Sequence, residues 1–188
     1  MKKEKQKNLT LNEEIEFPSG IHVEVKDNKI ILKKESKELE RAFSPLFKVN
    51  VSGNKIILSS KKATKKEKKL FGSLKAHIRN MIQGLEEGFK YKLQAVSVHF
   101  PITLKVDEAN NELLIKNFLG EKKDRVIRLI PGVNVKINKD VIELECHDIE
   151  KAGLVASNIE KGTKIRFRDR RIFQDGIFIT EKPGRKMI

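Results

Sequence analysis

The sequence predicts an α+β protein made of two tandem similar domains, each a small, mostly antiparallel sheet packed against a helix. Three observations lead there. Two stretches of the first half, "VKDNKIIL" (residues 25–32) and "VSGNKIIL" (residues 51–58), are nearly the same sentence. The second half holds two segments of the same grammar, "LKVDEANNELLIKN" (104–117) and "VKINKDVIELEC" (135–146). A helical pattern follows the second of these segments in each half. The order hairpin, connector, hairpin, helix therefore recurs at a period of roughly 80 residues, which duplication of one unit explains better than a single large sheet.

Each of the four segments reads as apolar strand, short polar turn, apolar strand, the pattern of a β-hairpin. In the first half "TKKE" (64–67) fits a capping box, with the Thr64 hydroxyl taking a free backbone N–H and Glu67 reaching back to the cap. Beyond it Leu70, Phe71, Leu74, Ile78, Met81, Ile82 and Leu85 recur at spacings of three and four, one stripe aimed at a sheet. Lys68, Lys75 and Arg79 fall largely on the other faces. In the second half Asp148 caps a predicted helix with the stripe Ile149, Ala152, Val155, Ala156 and Ile159. Gly153 inside it costs about 1 kcal/mol of helix propensity relative to alanine, which predicts a close approach of the backbone to a neighbour. "GLEEGFKYKL" (84–93) marks the join, so the expected domains are residues 1–88 and 89–188.

Composition constrains the partners more than the fold. Across 188 residues there are 40 Lys+Arg against 26 Asp+Glu, a formal net charge of +14. A surface this positive attracts polyanions, of which nucleic acid is the commonest. No long apolar span or amphipathic helix with an exposed aromatic face speaks for a membrane instead. The opening "MKKEKQKNLT" lacks the apolar run of a secretory signal, so the expected location is cytoplasmic. The single cysteine, Cys146, cannot form an intramolecular disulfide and reads as a small residue closing a strand.

Nothing points to catalysis. His22, His77, His99 and His147 are scattered, and no HExxH or paired Cys/His cluster suggests a metal site. Gly84 and Gly88 lack the Lys-Ser/Thr that a phosphate-binding loop needs. The expectation is no catalytic residue, no metal, no cofactor and no small-molecule substrate.

Three basic stretches remain. "KKEKQK" at the start reads as a solvated tail, and "KKATKKEKK" (61–69) leads into the capped helix, where lysines oppose the positive end of the helix dipole. The third, "RFRDRRIFQDG" (166–176), crowds four arginines into six residues beside Phe167 and Phe173. In an extended strand Arg166, Arg168 and Arg170 would project on one side, with Phe167 and Phe173 either stacking on unpaired bases or belonging to the core. Asp169 is expected to orient a neighbouring arginine. Asp175-Gly176 is expected to turn the chain into a last short strand, "IFIT", before a basic Pro-Gly tail.

"RDRRIFQDGIFI" (168–179) resembles the C-terminal motif of the universal large-subunit ribosomal protein family called L six, in its archaeal and eukaryotic branch. "FPSGIHVEV" (17–25), "HIRNMIQGLEEGFKYKL" (77–93), "VHFPITLKV" (98–106) and "IKNFLGEKKDR" (115–125) resemble other parts of that family, so the likeness covers nearly the whole chain. The resemblance implies two α+β domains of related fold and a structural role in translation. It also implies a place in the large subunit, with binding to large-subunit ribosomal RNA near the base of the factor-binding stalk and neighbouring ribosomal proteins as further partners. Carried over by position, Arg166, Arg168, Arg170, Arg171, Lys182, Arg185 and Lys186 become the expected RNA contacts, with Lys116, Lys122 and Lys123 behind them. A free-standing RNA-binding regulator or assembly factor using the same surface is the alternative.

Overall fold

The structure, a computed structural model, describes residues 11–61 and 63–187. The basic opening stretch lies outside the described residues. The chain divides into two compact units, the first ending at Glu87 and the second starting at Gly88.

In the first unit β1 (Leu11–Glu16) is followed by β2 (His22–Lys26), β3 (Lys29–Lys34) and β4 (Lys37–Ala42), then by β5 (Phe47–Ser52), β6 (Lys55–Ser60) and helix α1 (Lys65–Glu86). The strands form two antiparallel sheets of three, ordered β1-β6-β5 and β2-β3-β4. The twin "NKIIL" sequences supply the central strand of each. In both, alternation sends the first isoleucine and the leucine inward, so that Ile30, Leu32, Ile56 and Leu58 are fully buried. The β2–β3 turn places Asp27 and Asn28 in the left-handed region, the type I′ geometry that suits the twist of a two-residue hairpin.

Helix α1 packs on this core through Phe71, Leu74, Ile78, Ile82 and Leu85. Its capping box is formed as expected: Thr64 Oγ1 accepts from the Glu67 N–H at 3.4 Å, and Glu67 Oε2 accepts from the Thr64 N–H at 2.9 Å. Leu70 departs from the expected stripe and is half exposed, because Phe71 already fills the inward position of that turn.

The second unit repeats the plan. β7 (Phe89–Val96) precedes β8 (Thr103–Asp107), β9 (Glu112–Lys116) and β10 (Arg125–Arg128), then β11 (Asn134–Asn138), β12 (Val141–Cys146) and helix α2 (Ile149–Gly162). The meander is β10-β9-β8, and β7, β12 and β11 pair as β1, β6 and β5 do. The central strands again point alternate residues inward: Leu113 and Ile115, Ile142 and Leu144. α2 is capped by Asp148, whose carboxylate accepts from the Glu150 and Lys151 N–H groups. Its stripe of Ala152, Val155, Ala156 and Ile159 is fully buried. Gly153 does meet a neighbour, since a Cβ there would lie 3.1 Å from the Tyr91 hydroxyl.

Two strands have no counterpart among the described residues of the first unit. β13 (Gly176–Lys182) pairs antiparallel with the free side of β7 and forms a hairpin with β14 (Arg185–Lys186). The expected Pro-Gly tail is therefore the turn of a hairpin, with Gly184 at φ +73°.

Thr64→Ala removes the hydroxyl of the capping box and should lower stability by about 1 kcal/mol. Calorimetry of the first unit's unfolding should show that loss, and Thr64→Ser should recover most of it.

Candidate nucleic-acid interface

Three segments distant in sequence meet in the second unit: residues 98–101 after β7, residues 117–124 after β9, and residues 163–175 between α2 and β13. The Asp175 side chain, with no exposed surface, joins the first to the third. Its Oδ1 accepts from the backbone N–H groups of Val98 at 2.8 Å and His99 at 3.0 Å, and its Oδ2 lies 2.6 Å from His99 Nδ1. Burial pushes the Asp175 pKa up, but the hydrogen bonds from His99 and Val98 outweigh it and hold the carboxyl below the ordinary range. The His99 ring stacks on Phe173, centroids 4.8 Å apart and planes 19° from parallel. The Arg168 guanidinium lies 4.6 Å from the centre of the same Phe173 ring, a cation–π contact.

The second segment is fixed by Arg125. Its guanidinium sits 4.1 Å from the centroid of the buried Phe118 ring. It also donates to both Glu121 oxygens, at 2.8 and 2.5 Å, and to the Gly162 carbonyl at the end of α2, at 2.9 Å. Hydrogen bonding from Arg125 lowers the Glu121 pKa, and the charge of Arg168 acts in the same direction. Asn117 Nδ2 donates to the Pro101 carbonyl at 3.0 Å, joining this loop to the first segment. The Phe100 ring rests against Gly120, which has φ +75° and would bring a Cβ to 3.4 Å from that ring.

The arginine stretch is not an extended strand. Residues 164–169 have no regular structure and a turn follows them. The physical reason is twofold. Pairing with β7 begins only at Gly176, opposite Val96, so among the described residues no neighbouring strand supplies a ladder further back. Asp169 meanwhile closes the turn, its carboxylate accepting from the Arg171 N–H at 2.9 Å and its carbonyl from the N–H groups of Ile172 and Phe173. Asp169 thus orders backbone rather than a guanidinium, and Arg166, Arg168 and Arg170 do not share a strand face. Asp175 is likewise a buried anchor rather than a turn residue, with Gly176 already the first residue of β13. Phe173 belongs neither to the core nor to solvent, being the half-buried middle of the contacts with His99 and Arg168. Phe167 is fully exposed at φ +60°, a left-handed conformation that costs a bulky side chain on the order of 1–3 kcal/mol.

Apart from Arg168, which is exposed but lies on the Phe173 ring, the expected contact residues fall into three groups. Arg166, Arg170 and Arg171 are exposed, and their guanidinium groups have no hydrogen bond or ion pair among the described residues. Lys182 and Arg185 face each other across the final hairpin, beside exposed Lys186. In the loop after β9, Lys122 and Lys123 are exposed, whereas Lys116 pairs with Asp124 at 3.5 Å. In the first unit, Lys65, Lys66, Lys68 and Lys69 are exposed on the opening turns of α1. Sequence reasoning did not single out His99, Arg125 or the anchoring role of Asp175. Only Glu121, four residues before Arg125, offered a local signal, and nothing local links Asp175 to His99.

The three segments that assemble here include the stretches with the most distinctive family likeness, "HFP", "NFLGEK" and "DRRIFQDG". The family model described as Ribosomal protein L6 matches residues 17–88. The "Large ribosomal subunit protein uL6" of Desulfurococcus amylolyticus is 41% identical over 172 residues, covering 90% of this chain and 94% of that protein. The proteins of the same name from Methanococcus vannielii and Sulfurisphaera tokodaii are 39% and 40% identical, covering 93% and 94% of this chain and 96% and 95% of their own lengths. The chain belongs to the ribosomal protein L6 family. For a member of the L6 family the likeness spans both units, although the family model itself matches only the first. No helix among the described residues is long and apolar enough to cross a membrane.

Asp175→Asn should cost about 1–3 kcal/mol at neutral pH, since it weakens hydrogen bonds to a buried charged acceptor. A carboxyl whose folded pKa lies below its unfolded value contributes in full above that unfolded value, near 3.8, and loses its contribution as pH falls through the folded value. Denaturant titrations of both proteins should therefore show a constant stability gap at neutral pH that narrows below about pH 4.

Proposed function

We propose that this L6-family chain is a structural constituent of the large ribosomal subunit and binds large-subunit ribosomal RNA chiefly through its second unit. The observation that carries the reading is the run of exposed arginines on a loop whose own anchors leave Arg166, Arg170 and Arg171 without protein partners among the described residues. Guanidinium groups bind phosphate bidentately and stack on bases, so unpaired ones on a rigid support suit a folded RNA surface. Arg185, Lys186 and Lys182 extend the positive face along the final hairpin, with Lys122 and Lys123 on the loop after β9. The exposed Phe167 ring adds an apolar plane for an unstacked base.

The names borne by the relatives support membership of the large subunit, and the family likeness supports a site near the base of the factor-binding stalk. Neighbouring ribosomal proteins are the further partners. The action is binding rather than turnover: phosphate neutralisation releases counterions, and backbone contacts fix register on the RNA. The reading includes no catalytic residue, cofactor or small-molecule substrate, and it places the chain on cytoplasmic ribosomes.

The full chain should sediment stoichiometrically with large subunits in moderate salt; migration as a free protein would favour a separate regulator or assembly factor. Arg168→Ala with Arg170→Ala should weaken RNA binding and reduce the salt slope by about 1–2. A slope equal to that of the parent chain would remove these two residues from the phosphate contacts.

A further inference from the structure

Behind the arginine loop a cavity of about 560 Å³ opens between the end of α2, the loop and the start of β13. Its lining combines groups that rarely occur together in a packing defect. The Phe178 ring and Ile165 form apolar wall, Glu160 and Gln174 bring polar groups, and Lys164 and Arg170 are cations. Both cations are exposed, and neither side chain has a partner among the described residues. Gly176 shapes the space: a Cβ there would sit 3.0 Å from Phe178 Cζ, so the ring lies close over the bare backbone.

The hydrogen-bonding capacity of the lining is largely unspent. Asp175 is consumed by Val98 and His99. Among the described residues the Glu160 carboxylate accepts one long contact, from the Ile179 N–H at 3.5 Å, while its backbone carbonyl is taken by the Thr163 hydroxyl. Gln174 uses its amide nitrogen on the Arg171 carbonyl at 3.1 Å, while its oxygen has no partner among the described residues.

A nucleotide presents a planar ring, an edge of donors and acceptors, and a phosphate. The cavity answers each in turn with Phe178, with Glu160 and Gln174, and with Arg170 and Lys164. Its volume falls in the range of sites that enclose a small organic ligand. We propose that it receives one unpaired nucleotide of the bound RNA, inserted base first, an inference that rests on the RNA-binding reading above. An ionised carboxylate only accepts hydrogen bonds, so Glu160 favours guanine, whose Watson–Crick edge carries adjacent N–H donors that uracil lacks. The arginine loop then does more than neutralise phosphate, because it forms the lip over which the RNA strand delivers its base.

Ultraviolet crosslinking of large subunits carrying the full chain, with mass spectrometry of the digested protein, tests this. The expected result is a guanosine adduct within residues 165–178. Phe178→Leu should lower its yield by about ten-fold, the order set by losing one base–aromatic stack, while the variant still sediments with the subunit. Glu160→Gln, a change of the same shape, should weaken the preference for guanosine without abolishing crosslinking. Adducts confined to the final hairpin would overturn the cavity as a nucleotide site and leave the RNA-binding reading intact. A protein side chain crosslinked into the cavity would overturn it equally, and a uridine adduct there would overturn the role given to Glu160. Failure to sediment, with no adduct anywhere, would remove the parent reading as well.

Discussion

The candidate interface depends on one buried carboxylate. Asp175 stands where the irregular loop ends and β13 begins, and it gathers two backbone donors and a ring nitrogen from residues 98 and 99. Without it, the turn after β7 would keep two N–H groups lacking an intramolecular partner, and the arginine loop would lose its tie to the sheet. Through His99 the same carboxylate positions Phe173, and through Phe173 it positions Arg168. Arg125 plays the complementary part on the other side, binding the loop after β9 to the end of α2. These anchors are hydrogen bonds and ring contacts that leave most of the loop's own cations uncommitted.

The internal repeat explains where this apparatus sits. Both units use the same strand order, the same inward alternation on their central strands and a capped helix that closes the core. The second adds β13 along the side of β7 that the repeat leaves open, and Ile177 of that strand is fully buried beneath it. The connection from α2 to β13 is therefore an insertion into a finished core, tethered at both ends. Such a segment can hold sparsely populated backbone, as at Phe167, because the surrounding fold rather than local propensity determines it.

That distinction also governs what the sequence could reveal. The hairpins, both helices and their caps were legible because alternation, capping residues and turn chemistry are local signals. The duplication was legible because "NKIIL" occurs twice in the same structural role. β4, with the sequence "KELERA", was not, since its neighbours in the meander rather than its own composition make it a strand. The arginine segment misled for the opposite reason. Its alternation of charged and aromatic residues has the period of a strand, yet among the described residues no strand pairs with it, and Asp169 offers its backbone a competing turn. The His99–Asp175 pair spans 76 residues, and only the folded chain brings it together.

The irregular loop has an electrostatic consequence that a strand would not share. Arginines at alternate positions of a flat strand would hold their charges on one line, at fixed spacing and facing one way. The turn instead spreads them, parks Arg168 over a ring and leaves the others free to rotate toward whatever anion arrives. Mutual repulsion among these cations is screened over about 10 Å at moderate salt, so the unbound loop tolerates them at modest cost. Bound to a polyanion, the same repulsion is relieved, and because the loop backbone is already held, the ordering entropy that opposes the contact is confined to the side chains. A loop stapled by Asp175 and Asp169, rather than by salt bridges to its own arginines, is the arrangement that makes both conditions hold together.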